Sequence, residues 1–143
     1  MLTITKEKIK EIADLLDCGM KCFFNKKDGE IEYFPDSGSH EYMDPDQWEE
    51  IIEKIDENFD DYIPFIPMES RDSFRVMEDF IKEVEDKEFH KRLIWALNRR
   101  SPFRNFKDEI DYNGDYRERW FAFKLEKNIA WVKEQLSEYN NRI

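Results

Sequence analysis

Arginine and lysine side chains alternate with aromatic rings in the segment from residue 93 to residue 123, which reads LIWALNRRSPFRNFKDEIDYNGDYRERWFAF. Guanidinium groups bind phosphate through a fixed fork of donors, and aromatic rings stack on bases, so this composition is typical of proteins that bind single-stranded nucleic acid. The same composition arises when the rings form a core and the arginines join neighbouring helices, which is the interpretation we favour. The candidate binding residues are Arg99, Arg100, Arg104, Lys107, Arg117 and Arg119.

The charge of the chain limits the partners that this segment can have. Residues 95–124 contain seven lysines and arginines against five acids, whereas the whole chain of 143 residues has a net charge of −11 and a pI near 4.7. Because polyanions are held mainly by positive charge, these values argue against a general nucleic-acid binder and against a protein of anionic membranes. They favour binding of another protein, through this segment or through the acidic face expected at residues 44–61. RNA or single-stranded DNA binding through residues 99–107 is the alternative.

Catalysis has no local signature in this sequence. A nucleophile elbow and a glycine-rich phosphate loop are absent, so an enzyme would need acids such as Asp108, Asp111 or Glu118 to be brought together by the fold. His40 lies in a polar loop, where we expect a solvated side chain and not a general base. We therefore expect a protein without catalysis.

Metal ions and cofactors are also not expected. Cys18 and Cys22 do not have the spacing of a zinc knuckle, and the two histidines lie far from them along the chain, so both cysteines should be free thiols. No apolar run is long enough to span a bilayer, and the first residues lead into a charged helix without an apolar signal segment. We expect a cytoplasmic protein with no membrane contact.

Helix boundaries around the arginines follow from capping signals. Ser101 followed by Pro102 predicts a helix start at the proline, with the serine hydroxyl as its cap. Gly114 predicts the end of that helix in the left-handed conformation, and Asp115 predicts the cap of a last helix from Tyr116 to about residue 139. The arginine segment is therefore expected to include two helices and the connection before them.

Some of the cations are expected to be paired and others exposed. Arg104 and Lys107 each have an acid one turn ahead, and we expect both pairs to form on the outer face of the helix. Arg119 is expected to reach an acid or a helix-end carbonyl. Arg99 and Arg100 lie in a connection with no acid for seven residues on either side, so they should be the exposed pair.

The amino-terminal half of the chain predicts a small sheet. Residues 6–17 form an amphipathic helix, and the turn Lys27-Asp28-Gly29 joins two strands, 20–25 and 30–34, in a hairpin. The prolines of residues 62–67 suit an edge strand added to that hairpin, since proline cannot donate in a central ladder. We therefore expect three strands near the amino terminus.

Helices account for most of the remaining sequence. Apolar residues recur at helical spacing after Asp44, after Ser70 and in residues 87–97, and Phe106 and Trp120 fall on the inner stripes of the last two helices. We expect these two rings to be buried in one cluster. The prediction is a single α+β domain, residues 1–143, in which a small antiparallel sheet, a hairpin plus an edge strand, packs with a larger helical part.

Several stretches of the sequence resemble a known family. They are Met77-Glu78-Asp79-Phe80-Ile81, then Ala96-Leu97-Asn98 leading into Pro102-Phe103-Arg104-Asn105-Phe106-Lys107-Asp108, and finally Arg119-Trp120-Phe121-Ala122-Phe123-Lys124. This combination is similar to a bacterial family of conserved proteins that is classed only as uncharacterised, with F-R-x-F-K-D followed by W-F-x-F as its mark. The resemblance spans about residues 60–140. It implies membership of the family without a known activity.

Overall fold

The structure is a computed structural model that describes residues 1–36 and 45–142, so His40 and Asp44 lie outside the described residues. Its elements, in chain order, are α1 (Lys6–Asp17), β1 (Met20–Asn25), β2 (Ile31–Pro35), α2 (Pro45–Glu57), β3 (Tyr62–Phe65), α3 (Ser70–Ile81), α4 (Lys87–Leu97), α5 (Pro102–Asp111) and α6 (Gly114–Arg142). A short 3₁₀ turn, Phe59–Asp61, precedes β3. Within the described part of the chain, no helix combines the length and the apolar character needed to cross a bilayer. The predicted α+β class, with a small antiparallel sheet near the amino terminus, is confirmed.

Contacts between residues divide the chain into two compact units. The sheet unit comprises Met1–Met68 and Asn128–Ile143, and the helical unit comprises Glu69–Lys127. The two units differ in charge. The helical unit contains fourteen lysines and arginines and fourteen acids, so the whole net charge of −11 belongs to the sheet unit. Our expectation of one domain stays a prediction.

The sheet has the strand order β2-β1-β3, and both pairings are antiparallel. The hairpin turn is fixed by Asn25, whose side-chain oxygen accepts hydrogen bonds from the main-chain N–H groups of Lys27 and Asp28. Gly29 completes the turn with a φ of 74°, a conformation that costs little for a residue without a side chain. The predicted hairpin and the predicted edge strand β3 are both confirmed.

The core of the sheet unit combines one face of the sheet with the inner sides of α1 and of the end of α6. These buried side chains come from four elements and are Ile9, Ile12, Ala13 and Leu16 of α1, Cys22 and Phe24 of β1, Ile63 and Phe65 of β3, and Val132 and Leu136 of α6. Residues 22 and 24 pair with residues 65 and 63, so these strand side chains point to the same face.

Residues near the two ends of the chain are hydrogen-bonded to each other within the sheet unit. The main-chain N–H of Leu2 donates to Oδ1 of Asn140 at 3.0 Å, and Nδ2 of Asn140 donates to the carbonyl of Leu2 at 3.0 Å. α6 consequently continues to Arg142, whereas the sequence predicted an end near residue 139.

The outer edge of β3 offers no free main-chain N–H in the described part of the chain. Pro64 lacks this group, and the N–H of Tyr62 donates to the carbonyl of Phe59. Just after the strand, the N–H of Ile66 donates to Oε1 of Gln135 at 3.0 Å, and Nε2 of the same side chain donates back to the Ile66 carbonyl at 3.2 Å. A further strand would therefore find no donor along this edge.

Aromatic rings form the core of the helical unit. The ring of Phe80 on α3 contacts Phe106 on α5, and Trp120 and Phe123 on α6, with centroid separations between 5.3 and 6.4 Å. Phe106 is 1% exposed and Trp120 is 9% exposed. The predicted burial of these two rings in one cluster is confirmed.

The start of α6 differs from the prediction. The helix begins at Gly114, two residues before the predicted start at Tyr116, and Gly114 does not adopt the left-handed conformation that we expected. The main-chain N–H of Tyr116 donates to Oδ1 of Asn113 at 3.4 Å. Asn113 thus takes the capping role predicted for Asp115, and the glycine becomes part of the helix.

Candidate interaction surface

The connection between α4 and α5 is held in place by Asn105. Its Nδ2 donates to the carbonyl of Arg100 at 2.8 Å and to the carbonyl of Ala96, near the end of α4, at 3.3 Å. Ser101 has a φ of 61°, in the left-handed region, and its hydroxyl makes no capping hydrogen bond, so the predicted serine cap is wrong. The first helical bond instead runs from the N–H of Asn105 to the Ser101 carbonyl at 3.0 Å. Arg99 and Arg100, which lie in this connection, are both exposed, as predicted.

Trp95 and Arg99, four residues apart along the chain, form an exposed stacked pair at the end of α4. The guanidinium carbon of Arg99 lies 4.1 Å from the centroid of the Trp95 ring, which is within cation–π range. Trp95 is 62% exposed and its neighbour Ile94 is 41% exposed. Trp95 lies on the side of α4 opposite its buried residues, which are Phe89, Leu93, Ala96 and Leu97. The interpretation of the aromatic rings as core is therefore wrong for Trp95.

Three more cations near the connection are exposed and unpaired. Arg100, Arg104 and Lys107 form no salt bridge with any residue that the structure describes. The pairs predicted between Arg104 or Lys107 and the acid one turn ahead are wrong. An exposed pair of this kind contributes only about 0.3–0.5 kcal/mol, which does little to offset the ordering of two long side chains. Asp111, the acid ahead of Lys107, is instead paired with Arg117 at 3.3 Å.

Arg119 and Arg117 are held by other side chains of the helical unit. The guanidinium of Arg119 donates to both carboxylate oxygens of Glu85 at 3.4 Å and to the carbonyl of Glu83 at 3.2 Å. It also lies over the ring of Tyr116, 4.8 Å from the centroid. The hydrogen bond to Glu85 raises the pKa of the Arg119 guanidinium. The predicted pairing of Arg119 is confirmed. All six candidate residues are exposed; four have no acidic partner among the described residues, and Arg117 and Arg119 are paired with acids of neighbouring elements.

The unpaired cations could have been recognised from a shorter stretch of sequence than the one we used. Residues 93–107 contain four lysines and arginines and no acid, and none of the four is paired with an acid among the described residues. Residues 95–124 mix these cations with the paired Arg117 and Arg119. Within the narrower segment, Trp95 precedes Arg99 by four residues, the spacing that places two side chains on one helix face. Together the two patterns indicate the exposed stacked pair.

The acids considered for catalysis lie at the surface of the helical unit. Asp108 and Glu118 are exposed, and the carboxylate of Asp111 is paired with an arginine. Among residues 1–36 and 45–142, no group of three or more His, Cys, Asp or Glu side chains is placed to hold a metal ion.

The two cysteines are free thiols, as predicted, and their environments differ. Cys18 is exposed, whereas Cys22 is buried in the sheet. Burial raises the pKa of the Cys22 thiol to about 12, with a smaller contribution from the nearby Glu11 carboxylate. Cys22 consequently keeps its proton to a higher pH than an ordinary thiol does.

These features define an α+β protein whose candidate site is an exposed basic and aromatic surface at a helix connection. The chain belongs to the uncharacterised protein family UPF0158, whose profile matches residues 1–142. It is similar to the UPF0158 protein PA5073 of Pseudomonas aeruginosa, with 28% identity over 72 residues. That match covers 50% of this chain and 47% of the relative, so it extends over about half the length of either protein. No solved structure matches the chain at a significant level.

The family match confirms the resemblance to an uncharacterised family and extends it. The resemblance was expected over about residues 60–140, and the match covers nearly the whole chain. The role of F-R-x-F-K-D and W-F-x-F as the mark of the family stays a prediction.

Proposed function

We propose that this protein is a cytoplasmic interaction module without catalysis of its own, and that it binds an acidic segment of another protein. The binding site is the α4–α5 surface, which we define as Trp95, Arg99, Arg100, Arg104 and Lys107. One contrast within the helical unit carries this proposal. The cations of the α4–α5 surface are exposed without an acidic partner among the described residues, whereas the candidate arginines of α6 are held by acids.

The chemistry of the α4–α5 surface suits a protein partner. Tryptophan and arginine are the residues that most often contribute large binding energies at protein interfaces. Trp95 offers a large exposed ring, and Arg99 is already oriented over that ring at 4.1 Å, which reduces the ordering cost of binding. Arg100, Arg104 and Lys107 then meet carboxylates, whose charge complements theirs.

The family motif has a place in this proposal. Within F-R-x-F-K-D, Phe106 is buried in the core of the helical unit, while Arg104 and Lys107 are exposed. We propose that this motif marks the family because the phenylalanine fixes α5 and the two cations bind the partner. In W-F-x-F, Trp120 and Phe123 belong to the aromatic core around Phe80.

Single-stranded RNA or DNA is the second candidate ligand of the α4–α5 surface. The exposed ring of Trp95 favours it, because an indole stacks on a base while neighbouring cations contact phosphates. The net charge of −11 opposes it, since a long polyanion is repelled by the acidic sheet unit as well as attracted by the local cations. A short acidic peptide experiences less of this repulsion.

A binding titration with two defined probes tests the proposal. The probes are a fluorescent peptide of alternating glutamate and leucine and a single-stranded oligo-uridine of similar charge, each measured at two salt concentrations. The native protein is compared with R100A/R104A/K107A and with a control, R71A/R75A/K82A. The control removes three exposed cations from α3 and the residue after it, so both variants change the net charge equally.

We expect the peptide to bind the native protein and the control variant with similar affinity. In R100A/R104A/K107A the affinity should fall at least about tenfold, which corresponds to about 1.4 kcal/mol. Equal affinity for the two variants would contradict the assignment of the surface. Tighter binding of oligo-uridine, with a steep loss at the higher salt concentration, would identify nucleic acid as the ligand.

A further inference from the structure

We infer that the sheet unit carries a second docking surface, which binds a basic amphipathic helix of a partner protein. The surface consists of two clefts, of about 570 and about 260 Å³, whose linings share Phe59, Pro64 and Ile66. We call this surface the Phe59 groove. It contains no residue of the α4–α5 surface, so it goes beyond the function proposed above.

Apolar side chains in the Phe59 groove are exposed to an unusual degree. Phe59 is 65% exposed and Ile66 is 49% exposed. The smaller cleft is also lined by Phe23, Phe34 and Ile52, and the rings of Phe23 and Phe34 stack with their centroids 5.4 Å apart. An exposed apolar surface of this kind is typical of a site that another molecule covers.

The main chain of β3 beside the groove disfavours pairing with a partner strand. β3 contributes three lining residues to the larger cleft, and its outer edge presents Pro64, which has no N–H. The N–H of Ile66 donates to Gln135, so a partner strand finds no main-chain donor among the described residues of this edge. A helix satisfies its own main-chain groups and inserts only side chains, which suits two adjoining clefts.

Acidic side chains among the lining residues favour a cationic partner. Asp56 lines the smaller cleft, and Asp60 and Glu138 line the larger one. None of these three carboxylates forms a salt bridge with a residue that the structure describes. Lysines on the polar face of a partner helix would pair with them while its apolar face enters the clefts.

Three cations also line the clefts, and the surrounding charge outweighs them. Lys26 donates to the hydroxyl of Tyr139 at 2.9 Å, so its ammonium group is already engaged. Lys21 and Arg142 are the other two. Residues 44–61 contain nine acids against one lysine, and the sheet unit as a whole has a net charge of −11. The field of the unit therefore attracts a basic helix and repels an acidic one.

Binding of defined helical peptides to the intact protein tests the inference. The probe is a fluorescent helix of about 18 residues, made of lysine and leucine with the leucines along one face. A matched peptide carries glutamate in place of lysine. The native protein is compared with F59A/I66A, with the charge variant D56N/D60N/E138Q, and with Y112A/F121A, a control that removes two exposed rings from the helical unit.

We expect the lysine peptide to bind the native protein and the control alike. In R100A/R104A/K107A, which lacks three cations of the α4–α5 surface, we expect the glutamate peptide to bind far more weakly than the lysine peptide. F59A/I66A should lower the affinity for the lysine peptide at least about tenfold. D56N/D60N/E138Q should lower it as well and should reduce its dependence on salt. R100A/R104A/K107A should leave it unchanged, so the Phe59 groove and the α4–α5 surface are tested independently.

Three outcomes would overturn the inference. The first is unchanged affinity for the lysine peptide in both F59A/I66A and D56N/D60N/E138Q, with melting curves that show both variants folded. The second is equal binding of the lysine and glutamate peptides by R100A/R104A/K107A. The third is a native dimer in sedimentation that F59A/I66A converts to monomers, because a second copy of this chain would then occupy the groove.

Discussion

The ring of Trp120 lies edge to face against the ring of Phe106, with their centroids 4.8 Å apart, and this contact joins α6 to α5 within the helical unit. Both rings also contact Phe80 of α3. The helices α3, α5 and α6 therefore meet at this pair of rings. Arg104 and Lys107 lie on the exposed side of α5. The α4–α5 surface depends on this core for its position.

We predict that F106A and W120A each lower the free energy of unfolding by about 3–5 kcal/mol, because each leaves a cavity among buried rings. Chemical denaturation of the purified variants measures this change. F103A is a matched control, since the Phe103 ring is nearly half exposed, and it should cost less. Losses below about 1 kcal/mol for both core variants would show that the cluster is not the core.

We predict that R99A/R100A leaves the free energy of unfolding within about 0.5 kcal/mol of the native value, as for ordinary surface positions. R119A is the comparison, because Arg119 contacts both Glu85 and the carbonyl of Glu83. R119A should lower the free energy of unfolding by more than R99A/R100A does, but only by about 1 kcal/mol, because the pair with Glu85 is exposed. A large loss in R99A/R100A would mean that the connection is structural and that its arginines are not a free binding surface.

The raised pKa of Cys22 predicts a loss of stability in alkali. The pKa of the Cys22 thiol is about 12 in the folded protein, whereas an ordinary thiol has a pKa of 9.0. Between these two pH values the native thiol therefore keeps its proton while the unfolded thiol ionises. The contribution of the Cys22 thiol to the free energy of unfolding is therefore constant below pH 9.0. It is lost progressively as the pH rises towards about 12. Unfolding measured over this range should show a steeper fall for the native protein than for C22A.

Thiol labelling of the folded protein provides an independent check on Cys22. At mildly alkaline pH an alkylating reagent should modify the exposed Cys18 and leave Cys22 unmodified, because the reactive species is the thiolate. The C18S variant should therefore remain unlabelled until it is unfolded. Rapid labelling of folded C18S would show that Cys22 is accessible, in conflict with its burial.

The sheet could be predicted from the sequence because its signals are local. Gly29 supplies the positive φ of the hairpin turn, and Pro64 confines β3 to an edge. The burial of Phe106 and Trp120 followed from helical spacing in the same way. Each of these signals lies within a few residues of the feature that it predicts.

The roles of the six candidate cations were only partly predictable, because their acidic partners are distant along the chain or are not found among the described residues. Arg119 is held by Glu85, 34 residues earlier, and no local pattern indicates that pairing. Arg104 has an acid at ideal spacing, yet an exposed pair is too weak to fix the conformation. The exposure of Trp95 follows from its position on α4 opposite the buried residues, but a large aromatic ring in an aromatic-rich segment favours the opposite interpretation.

The binding of an acidic segment at the α4–α5 surface is tested most directly by the indole N–H signal of Trp95. The four tryptophans give four such signals in a nitrogen–proton correlation spectrum, and W95F assigns the relevant one. Addition of the glutamate and leucine peptide should shift the Trp95 signal and the main-chain signals of residues 94–107. The indole N–H of Trp131, which donates to the carbonyl of Ile66 at 2.8 Å, should stay in place. A Trp95 signal that does not move at saturating peptide, while signals elsewhere shift, would contradict the account.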